Sequence, residues 1–359
     1  MRIGIYDPYL DILGGGEKYM LTAASCLSDA HEVNVFWNSK DILQDAQKKF
    51  DIDLSKVTLN PNIFDPNISF IKRFFKSRQY DAIFFLSDGS LPIISSNLYV
   101  HFQFPVEWVN TKSLLENIKL KRIRKVICNS NFTKNHIDRK FNVESSVVYP
   151  PTYYKSDFPK VDYEAKINII LNVGRYGVMP DGSSFKKQEF IIDSFKKLYD
   201  SGLKDWELHL VLSFQKNDTN FIEKMKKSIK DYPIKFFENI SYKEILREYS
   251  QAKIYWHASG FGEDLETHPE KAEHFGITTV EAMLNGVVPV VIDAGGQKEI
   301  INQDESGFLW ETQEELLLKT LMLAKDNEKW TEMSLKAAKA SKIFSTDNFC
   351  QNINKIFTK

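Results

Sequence analysis

The chain has 359 residues, and its 43% hydrophobic and 26% charged residues are typical of a globular protein large enough for two domains. A formal net charge of -1 gives no reason to expect a nucleic-acid partner. Cys26, Cys128 and Cys350 are odd in number and far apart, which argues against a disulfide framework or a zinc site. No apolar run approaches the length of a membrane span, and we expect the residues after Met1 to form a short strand rather than a signal peptide. We therefore expect a protein of the cytoplasm, a reducing compartment.

The first part of the chain alternates predicted strands and helices. A buried strand at residues 3–6 precedes a glycine triplet, apolar residues at helical spacing over 17–27 and an alternating strand at 32–37. Four further apolar runs end in polar or special residues and predict strands at 82–86, 98–100, 126–128 and 147–149. This order predicts a parallel sheet covered by helices, with ligands beyond the carboxyl ends of its strands.

Pro150-Pro151 and the aperiodic residues 152–165 predict a linker to a second domain. The pattern beyond it predicts strands at 168–173, 208–212, 234–237 and 254–257. It also predicts helices at 187–199, 221–230, 242–250, 313–324, 328–340 and 346–356. We expect two Rossmann-like domains, residues 1–155 and 156–342, that face each other across a cleft, with residues 343–359 packed back on the first.

Positive charge is concentrated in two segments of the first domain. Lys112–Lys140 carries nine basic and two acidic residues, and Ile71–Arg78 carries four basic residues around two phenylalanines. A solvated helix face is the ordinary explanation of such runs. Basic residues interleaved with apolar ones are also typical of contact with an anionic membrane, here its inner face. Both interpretations stay open.

The stretch from Glu273 to Gly296 combines features of a site for phosphate and sugar. Glu273 and Glu281 lie on either side of Gly276 and the start of a helix of small residues. A buried strand and a glycine pair follow this helix. A helix N-terminus binds anions, and an adjacent carboxylate accepts hydrogen bonds from hydroxyl groups. The pattern therefore favours a ligand that carries both groups.

This stretch resembles the Glu-x7-Glu motif of retaining glycosyltransferases of family 4, the group 1 glycosyltransferases, which have the GT-B fold. Other segments resemble further motifs of that family, in the same order along the chain. They are the glycine loop 14–17, the domain junction 148–151, the Gly-Arg of 173–175 with Lys186, the Gly-Gly-x-x-Glu of 295–299 and the turn 306–309. The resemblance thus covers most of the chain.

The resemblance implies that a hexose is transferred from a nucleotide-diphosphate sugar to a hydroxyl group, with retention of configuration and without a metal or other cofactor. Arg175 and Lys186 would neutralise the departing diphosphate as two fixed cations. Lys187 is the alternative to Lys186 if the register differs by one residue. Surface cations are the ordinary interpretation of all three.

The resemblance also assigns the donor contacts of the helix start. Glu273 would accept hydrogen bonds from the sugar, and Glu281 would bind the ribose hydroxyls. The backbone N–H groups of Phe275, Gly276 and Ile277 would face sugar and phosphate. The alternatives are a glutamate that complements the helix dipole and a solvated helix carboxylate.

In the first domain, His101 follows a predicted strand, and it resembles the family histidine that contacts the donor sugar near the reaction centre. A satisfied core histidine is the alternative. Gly15 and Gly16 would let the backbone approach the diphosphate or the acceptor. Asp88-Gly89 and Asn129-Ser130 are weaker candidates, for which turn formation is the alternative.

The insertion Gly260–Ala272 is acidic and longer than the usual family connection. Its Glu263, Asp264, Glu266 and His268 have no spacing that is typical of a metal site. We expect a mobile acidic loop over the cleft and metal-independent transfer.

Other functions fit the pattern less well. A dinucleotide-dependent oxidoreductase needs glycine where Tyr19 stands. In a glycosidase the two carboxylates would come from different strand ends, and a nucleotide site would have no purpose. A GT-B enzyme that epimerises or hydrolyses nucleotide sugars, or a non-catalytic subunit that binds them, would share the donor site, and both stay as alternatives.

His274 after Glu273, together with Tyr149-Pro150-Pro151, is similar to mannosyltransferases of lipid-linked oligosaccharide assembly. This likeness favours GDP-mannose as donor and a glycan or lipid-linked glycan as acceptor, in polysaccharide biosynthesis. A UDP-sugar or a soluble acceptor would fit the same residues.

Overall fold

The structure is a computed structural model that describes residues 1–111, 113–152, 160–177, 184–229 and 231–358. It divides into two compact units. Unit 1 comprises Met1–Lys155 and Phe344–Lys359, and unit 2 comprises Ser156–Ile343. The predicted α/β class with two Rossmann-like domains is confirmed, because each unit contains its own parallel sheet with helices. Most of the predicted linker lies outside the described residues.

Unit 1 is built on a seven-stranded parallel sheet. Its strands are β1 (Arg2–Tyr6), β2 (Glu32–Phe36), β3 (Val57–Asn60), β4 (Ala82–Leu86), β5 (Asn97–Phe102), β6 (Ile123–Cys128) and β7 (Ser145–Val147). The helices between them are α1 (Gly15–Ser28), α2 (Ile42–Phe50), α3 (Phe70–Ser77), α4 (Leu114–Leu120) and α5 (Asn131–Phe141). The strand order β3-β2-β1-β4-β5-β6-β7 reverses direction between β1 and β4. In open parallel sheets, such a reversal opens a crevice at the carboxyl ends of the two strands.

Unit 2 contains a six-stranded parallel sheet. Its strands are β8 (Ile167–Arg175), β9 (Glu207–Ser213), β10 (Ile234–Glu238), β11 (Ala252–His257), β12 (Val288–Ile292) and β13 (Phe308–Trp310). Its helices are α6 (Gln188–Asp200), α7 (Thr219–Lys227), α8 (Tyr242–Gln251), α9 (Ile277–Leu284), α10 (Gln297–Ile300), α11 (Gln313–Lys325) and α12 (Asn327–Ala340). The order β10-β9-β8-β11-β12-β13 reverses between β8 and β11. The segments that follow these two strands are therefore neighbours.

The last helix, α13 (Thr346–Phe357), packs on α1 of unit 1. Phe349 of α13 meets the Tyr19 ring edge-on at 4.8 Å. Cys350 forms a disulfide with Cys26, across a sequence separation of 324 and a Cα–Cα distance of 5.2 Å. The expectation that the cysteines form no disulfide is thus wrong for this pair, because the returning helix brings distant residues together. Cysteine usage consequently gives no support for a reducing compartment.

Lys166, at the start of β8, holds three elements of unit 2 together. Its buried Nζ donates hydrogen bonds to the carbonyl oxygens of Tyr249 at 2.9 Å, Ala252 at 3.0 Å and Asn285 at 2.7 Å. These three acceptors use all three protons of an ammonium group. The end of α8, the start of β11 and the residue after α9 are fixed around one side chain.

Asp7, directly after β1, is a buried carboxyl group in the reversal of the unit 1 sheet, with 1% exposure. Its Oδ1 accepts a hydrogen bond from the Tyr9 N–H at 2.9 Å. No described residue bonds its Oδ2. Burial, aided by the charge of Glu17, raises the pKa of Asp7 to about 7.

Replacing Lys166 by methionine should lower the free energy of unfolding by about 3 kcal/mol, because three carbonyl groups lose their donor. Urea denaturation checks this. Lys243 is exposed on α8, and Lys243→Met should change stability by less than about 0.5 kcal/mol. Equal stability of the two variants would contradict this role of Lys166.

Asp7→Asn tests the raised pKa through the pH dependence of stability. The folded-state pKa lies above the ordinary value of 3.8. The stabilisation that comes from the protonated Asp7 carboxyl group is therefore fully present below pH 4 and is lost as pH rises through 7. The free energy of unfolding of Asp7→Asn, relative to that of the wild type, should therefore increase by about 3 kcal/mol between pH 5 and pH 8. Denaturation curves at both pH values measure this gain, and a pH-independent difference would refute it.

Candidate functional site

The residues of the Glu-x7-Glu stretch lie at the strand-order reversal of unit 2. Lys186 lies between β8 and α6, and Glu273 lies between β11 and α9. His257 is the last residue of β11. Because β8 and β11 are paired neighbours, the residues that follow them meet at one edge of the sheet.

Lys186, Glu273 and His257 form one hydrogen-bonded group. Glu273 Oε2 lies 2.5 Å from Lys186 Nζ and 2.9 Å from His257 Nε2. A carboxylate only accepts hydrogen bonds, so Nε2 of His257 carries the proton. Burial lowers the pKa of His257, even though the contact with Glu273 acts to raise it. The imidazole is therefore a neutral donor that orients the carboxylate.

The carboxyl group of Glu273 is ionised and has one oxygen available. Burial acts to raise its pKa, but the Lys186 ammonium and the His257 hydrogen bond hold this pKa well below its usual range. The side chain keeps 17% exposure. Within the described part of the chain, both bonds go to Oε2 and no hydrogen bond to Oε1 is found. Oε1 can therefore accept a hydrogen bond from a ligand hydroxyl.

Glycines fix the backbone that carries Glu273. Gly276, the residue before α9, has a φ of 117°, a conformation that residues with a Cβ rarely adopt. A Cβ on Gly296 would lie 2.4 Å from Phe275 Cα. The Gly296 N–H also donates to the Glu273 carbonyl oxygen at 2.8 Å. The two glycine positions let the loop pack closely and direct the start of α9 at the site.

The start of α9 presents backbone donors. The N–H groups of Gly276 and Ile277 have no acceptor among the residues that the structure describes. Such groups at a helix N-terminus, with the helix dipole behind them, bind anions.

Glu281 lies in the middle of α9 and is 8% exposed, so it is not the solvated helix carboxylate of the alternative interpretation. Tyr242 and Tyr249 of α8 donate to its two oxygens, at 3.3 and 3.2 Å. These two hydroxyl groups hold the carboxylate in one orientation.

Arg175, the last residue of β8, is exposed and makes no ion pair with another described residue. It lines a cavity of about 170 Å³ at the carboxyl ends of β8, β9 and β10. Lys186 packs against Gly174, the residue before Arg175, because a Cβ on Gly174 would lie 3.3 Å from Lys186 Cγ. Of the two cations, only Lys186 has a carboxylate partner among the described residues. The cavity is lined by Val173, Gly174, Arg175, Val211, Leu212, Ser213, Asn239, Ile240, Ile245 and Thr278.

Lys187 has a different partner from Lys186. Its ammonium is paired with Glu263 of the insertion, and Lys271 also pairs with Glu263, at 2.6 Å. The Phe261 ring packs on Phe190 in a tilted arrangement, with ring centroids 4.1 Å apart. The acidic loop that we expected to be mobile is thus attached to the rest of unit 2 by the ion pair of Lys187 with Glu263 and by an aromatic contact, and the pair of Lys271 with Glu263 lies within the loop. The described residues contain no group of three or more side chains able to hold a metal ion.

His101 is fully buried within β5 of unit 1 rather than placed beyond the strand end. Its ring stacks on Tyr19 at 4.0 Å, and its Nδ1 donates to the Ile127 carbonyl oxygen at 3.2 Å. Burial lowers the pKa of His101 to about 3, so the imidazole is neutral. His101 therefore has the surroundings of a core histidine, and its contact with a donor sugar stays a prediction.

Gly15 and Gly16 are the first two residues of α1 rather than part of a loop. A Cβ on Gly16 would lie 2.2 Å from Gln103 Oε1, and Gln103 Nε2 donates to the Gly16 carbonyl oxygen at 3.1 Å. Packing against Gln103 accounts for this glycine, and its ligand contact stays a prediction.

The weaker candidates have structural roles. Ser130 caps α5, since its Oγ accepts the Thr133 N–H at 3.0 Å. Asp88 Oδ1 accepts the Ser90 N–H at 3.1 Å, next to Gly89 with a φ of 108°. Both are turn or cap residues, which was the alternative interpretation.

Sequence reasoning missed His257, Tyr242 and Tyr249, which orient the two glutamates. His257 ends a predicted strand, so its position at a carboxyl end was the signal that could have identified it. The two tyrosines lie on a helix that is distant in sequence from Glu281, and no local pattern connects them.

Comparison with known proteins places the chain in a family. The model of the family described as "Glycosyl transferases group 1" matches residues 156–342, more than half of the chain. The GDP-Man:Man(3)GlcNAc(2)-PP-Dol alpha-1,2-mannosyltransferase of Dictyostelium discoideum is 23% identical over 444 residues, which cover 99% of this chain and 84% of that protein.

Solved structures show the same fold. A glycosyltransferase from Rickettsia africae ESF-5 has a TM-score of 0.74 at 18% identity, over 100% of this chain and 99% of that chain. Anabaena Alr3699/HepE, solved in complex with UDP and glucose, has a TM-score of 0.72 at 18% identity, over 99% and 98%. The fold is GT-B. The chain belongs to the group 1 glycosyltransferases and is a glycosyltransferase.

Proposed function

We propose that the protein transfers a hexose from a nucleotide-diphosphate sugar to a hydroxyl group of a glycan or lipid-linked glycan, with retention and without a metal. The main support is the group of Lys186, Glu273 and His257 at the start of α9. It combines a fixed cation, an ionised carboxylate with an available oxygen and a helix N-terminus. These are the groups that a sugar joined to a diphosphate requires.

Each part of the site has a role in this proposal. Arg175 and Lys186 neutralise the charge that develops on the departing diphosphate. The Gly276 and Ile277 N–H groups bind phosphate oxygens. Glu273 Oε1 accepts a hydrogen bond from a sugar hydroxyl, and Glu281 binds the ribose.

The depressed pKa of Glu273 supports a front-face reaction. A carboxylate that holds its charge so firmly is a poor base. The bond between the anomeric carbon and the phosphate oxygen breaks while the acceptor oxygen bonds to the same face. The acceptor proton passes to a departing phosphate oxygen, and the configuration is retained.

We propose GDP-mannose as donor. The support is the likeness to the Dictyostelium mannosyltransferase, whose name specifies GDP-Man and a PP-Dol-linked acceptor. His274, which also resembles mannosyltransferases of lipid-linked oligosaccharide assembly, has its Nε2 3.1 Å from the Glu270 carbonyl oxygen. A UDP-sugar is the competing donor, since Anabaena HepE is described with UDP and glucose.

We also propose that unit 1 contacts the anionic inner face of a membrane. The two basic segments are neighbours in space. Ser95 donates to the Phe74 carbonyl oxygen at 3.0 Å, and Arg122 donates to the carbonyl oxygen of the adjacent Ile94 at 2.8 Å. Lys112 lies outside the described residues. No described helix is long and apolar enough to cross a bilayer, so the proposed contact is peripheral.

Alanine at Lys186 or at Glu273 should reduce the rate of transfer by about 100- to 1,000-fold, because each removes a fixed group that stabilises the transition state. Initial rates with a nucleotide sugar and a glycan acceptor measure the effect. Circular dichroism should show an unchanged fold. Lys187→Ala is the matched control, since Lys187 pairs with Glu263, and its rate should stay within about threefold of the wild type.

A large loss of transfer activity in Lys187→Ala with normal transfer in Lys186→Ala would refute the assignment of Lys186, rather than Lys187, to the lysine of the family motif. Donor consumption without transfer would favour a hydrolase or an epimerase. Binding without turnover in the wild type would favour a non-catalytic subunit.

GDP-mannose should raise the melting temperature more than UDP- or ADP-sugars do, because a ligand of the folded state stabilises it by mass action. A chelator should leave both the shift and the transfer rate unchanged. Glu281→Gln should weaken binding of GDP alone by about tenfold, as one charge-assisted hydrogen bond to ribose is lost. A larger shift with UDP-sugars would replace the proposed donor, and loss of transfer that manganese restores would refute the metal-free mechanism.

A further inference from the structure

Unit 1 contains a polar cavity with a volume of about 310 Å³, away from its strand-order reversal. Its polar lining comes from Arg2, Asn60, Lys76, Gln79 and Tyr80, and none of the lining residues is acidic. Lys76 belongs to α3, and Gln79 follows that helix closely. The cavity therefore opens next to one of the two basic segments.

The charges of the cavity are incompletely balanced. The Arg2 guanidinium lies over the Tyr80 ring at 5.0 Å and has Glu32 as its ion-pair partner at 2.9 Å. The Lys76 ammonium, in contrast, has no ion pair or hydrogen bond with any residue that the structure describes. The cavity consequently has an excess of positive charge.

Its hydrogen-bonding groups are donors. Asn60 Nδ2 donates to the Tyr80 hydroxyl at 3.0 Å, which leaves the Tyr80 proton for another acceptor. The Lys76 ammonium and the Gln79 amide add further donors. A cavity with cations, donors and no carboxylate suits a phosphate group.

The helix beside the cavity exposes large apolar side chains. Phe70, Ile71 and Phe75 of α3 are 52%, 64% and 58% exposed. Lys72 directly follows Ile71 in this helix, and Lys76, which lines the cavity, directly follows Phe75. A free phosphate ion would leave these apolar side chains in water. A lipid surface accommodates apolar groups and phosphate together.

We propose that this cavity binds the phosphate of an anionic lipid headgroup while Phe70, Ile71 and Phe75 enter the boundary of the acyl region. Lys76 contacts the headgroup, and Lys72 and Arg78 add attraction to the charged surface. This inference rests on the proposed membrane contact and gives it a ligand site. It is independent of the donor and of the reaction.

Cosedimentation of the full chain with vesicles tests the proposal. Vesicles of phosphatidylcholine alone should bind weakly, and vesicles with about 30% phosphatidylglycerol should bind strongly. Lys72→Gln should weaken binding about fivefold, the effect of one cation near a charged surface. Lys76→Gln makes the same charge change on the same helix but also removes the headgroup contact, so it should weaken binding by at least about twentyfold.

Equal losses in the two variants would overturn the cavity as a headgroup site, since only surface charge would then contribute. Absence of binding to anionic vesicles would refute a lipid as the ligand. Titration with inorganic phosphate distinguishes a lipid headgroup from a free phosphate ion. Stabilisation by phosphate that depends on Lys76, without vesicle binding, would make the ligand a soluble phosphate and refute the lipid proposal.

Two controls separate this test from the catalytic proposal. Ile71→Ser leaves the charges unchanged and should weaken vesicle binding, with no effect on phosphate binding; normal vesicle binding by this variant would refute the insertion of α3. Lys76→Gln should keep the melting shift produced by nucleotide sugars. If nucleotide sugars fail to bind the wild type while vesicles bind through Lys76, the donor proposal fails and the lipid site stands.

Discussion

The ion pair between Lys186 and Glu273 is the interaction on which the site of unit 2 depends. A buried carboxylate is costly unless a cation and hydrogen bonds compensate its charge. Lys186 and His257 provide both on the same oxygen. The cost of desolvating the charge is thereby met before any ligand arrives, and Oε1 stays available. The carboxylate is therefore oriented and ionised before a ligand binds.

The two sheets place polar groups in corresponding positions. Each sheet reverses its strand order once, between β1 and β4 in unit 1 and between β8 and β11 in unit 2. Asp7 follows β1, and Arg175 ends β8. Parallel strands end at the same edge of a sheet. Where the strand order reverses, the side chains that follow the two neighbouring strands line a crevice at that edge. The topology thus determines where charged groups are tolerated, and the local sequence determines which groups are present.

Sequence patterns over a few residues predicted many strands and helices well. They could not predict contacts between residues that are distant in the sequence. The run 82–86 is apolar throughout, and strand β4 has those bounds. Strand β3 was missed because only one of its four residues is buried. Glu273 and Glu281 could be singled out because a family motif lies in one stretch, and their contact with a donor stays a prediction. The Cys26–Cys350 disulfide and the buried stacking of His101 on Tyr19 depend on elements that meet only in the folded chain.

Charge balance distinguishes the two cations, Lys186 and Arg175, that the proposed function assigns to the diphosphate. Lys186 carries a single positive charge, and in this structure that charge already compensates Glu273. A diphosphate bound beside Lys186 would compete for the same ammonium, weaken its hold on Glu273 and raise the pKa of that carboxyl group. Arg175 has no carboxylate partner among the described residues. Its positive charge would therefore be available to a diphosphate, whereas the charge of Lys186 already compensates Glu273. In the proposed function, the unpaired arginine would provide the charge for a phosphate leaving group while Glu273 stays ionised for the sugar.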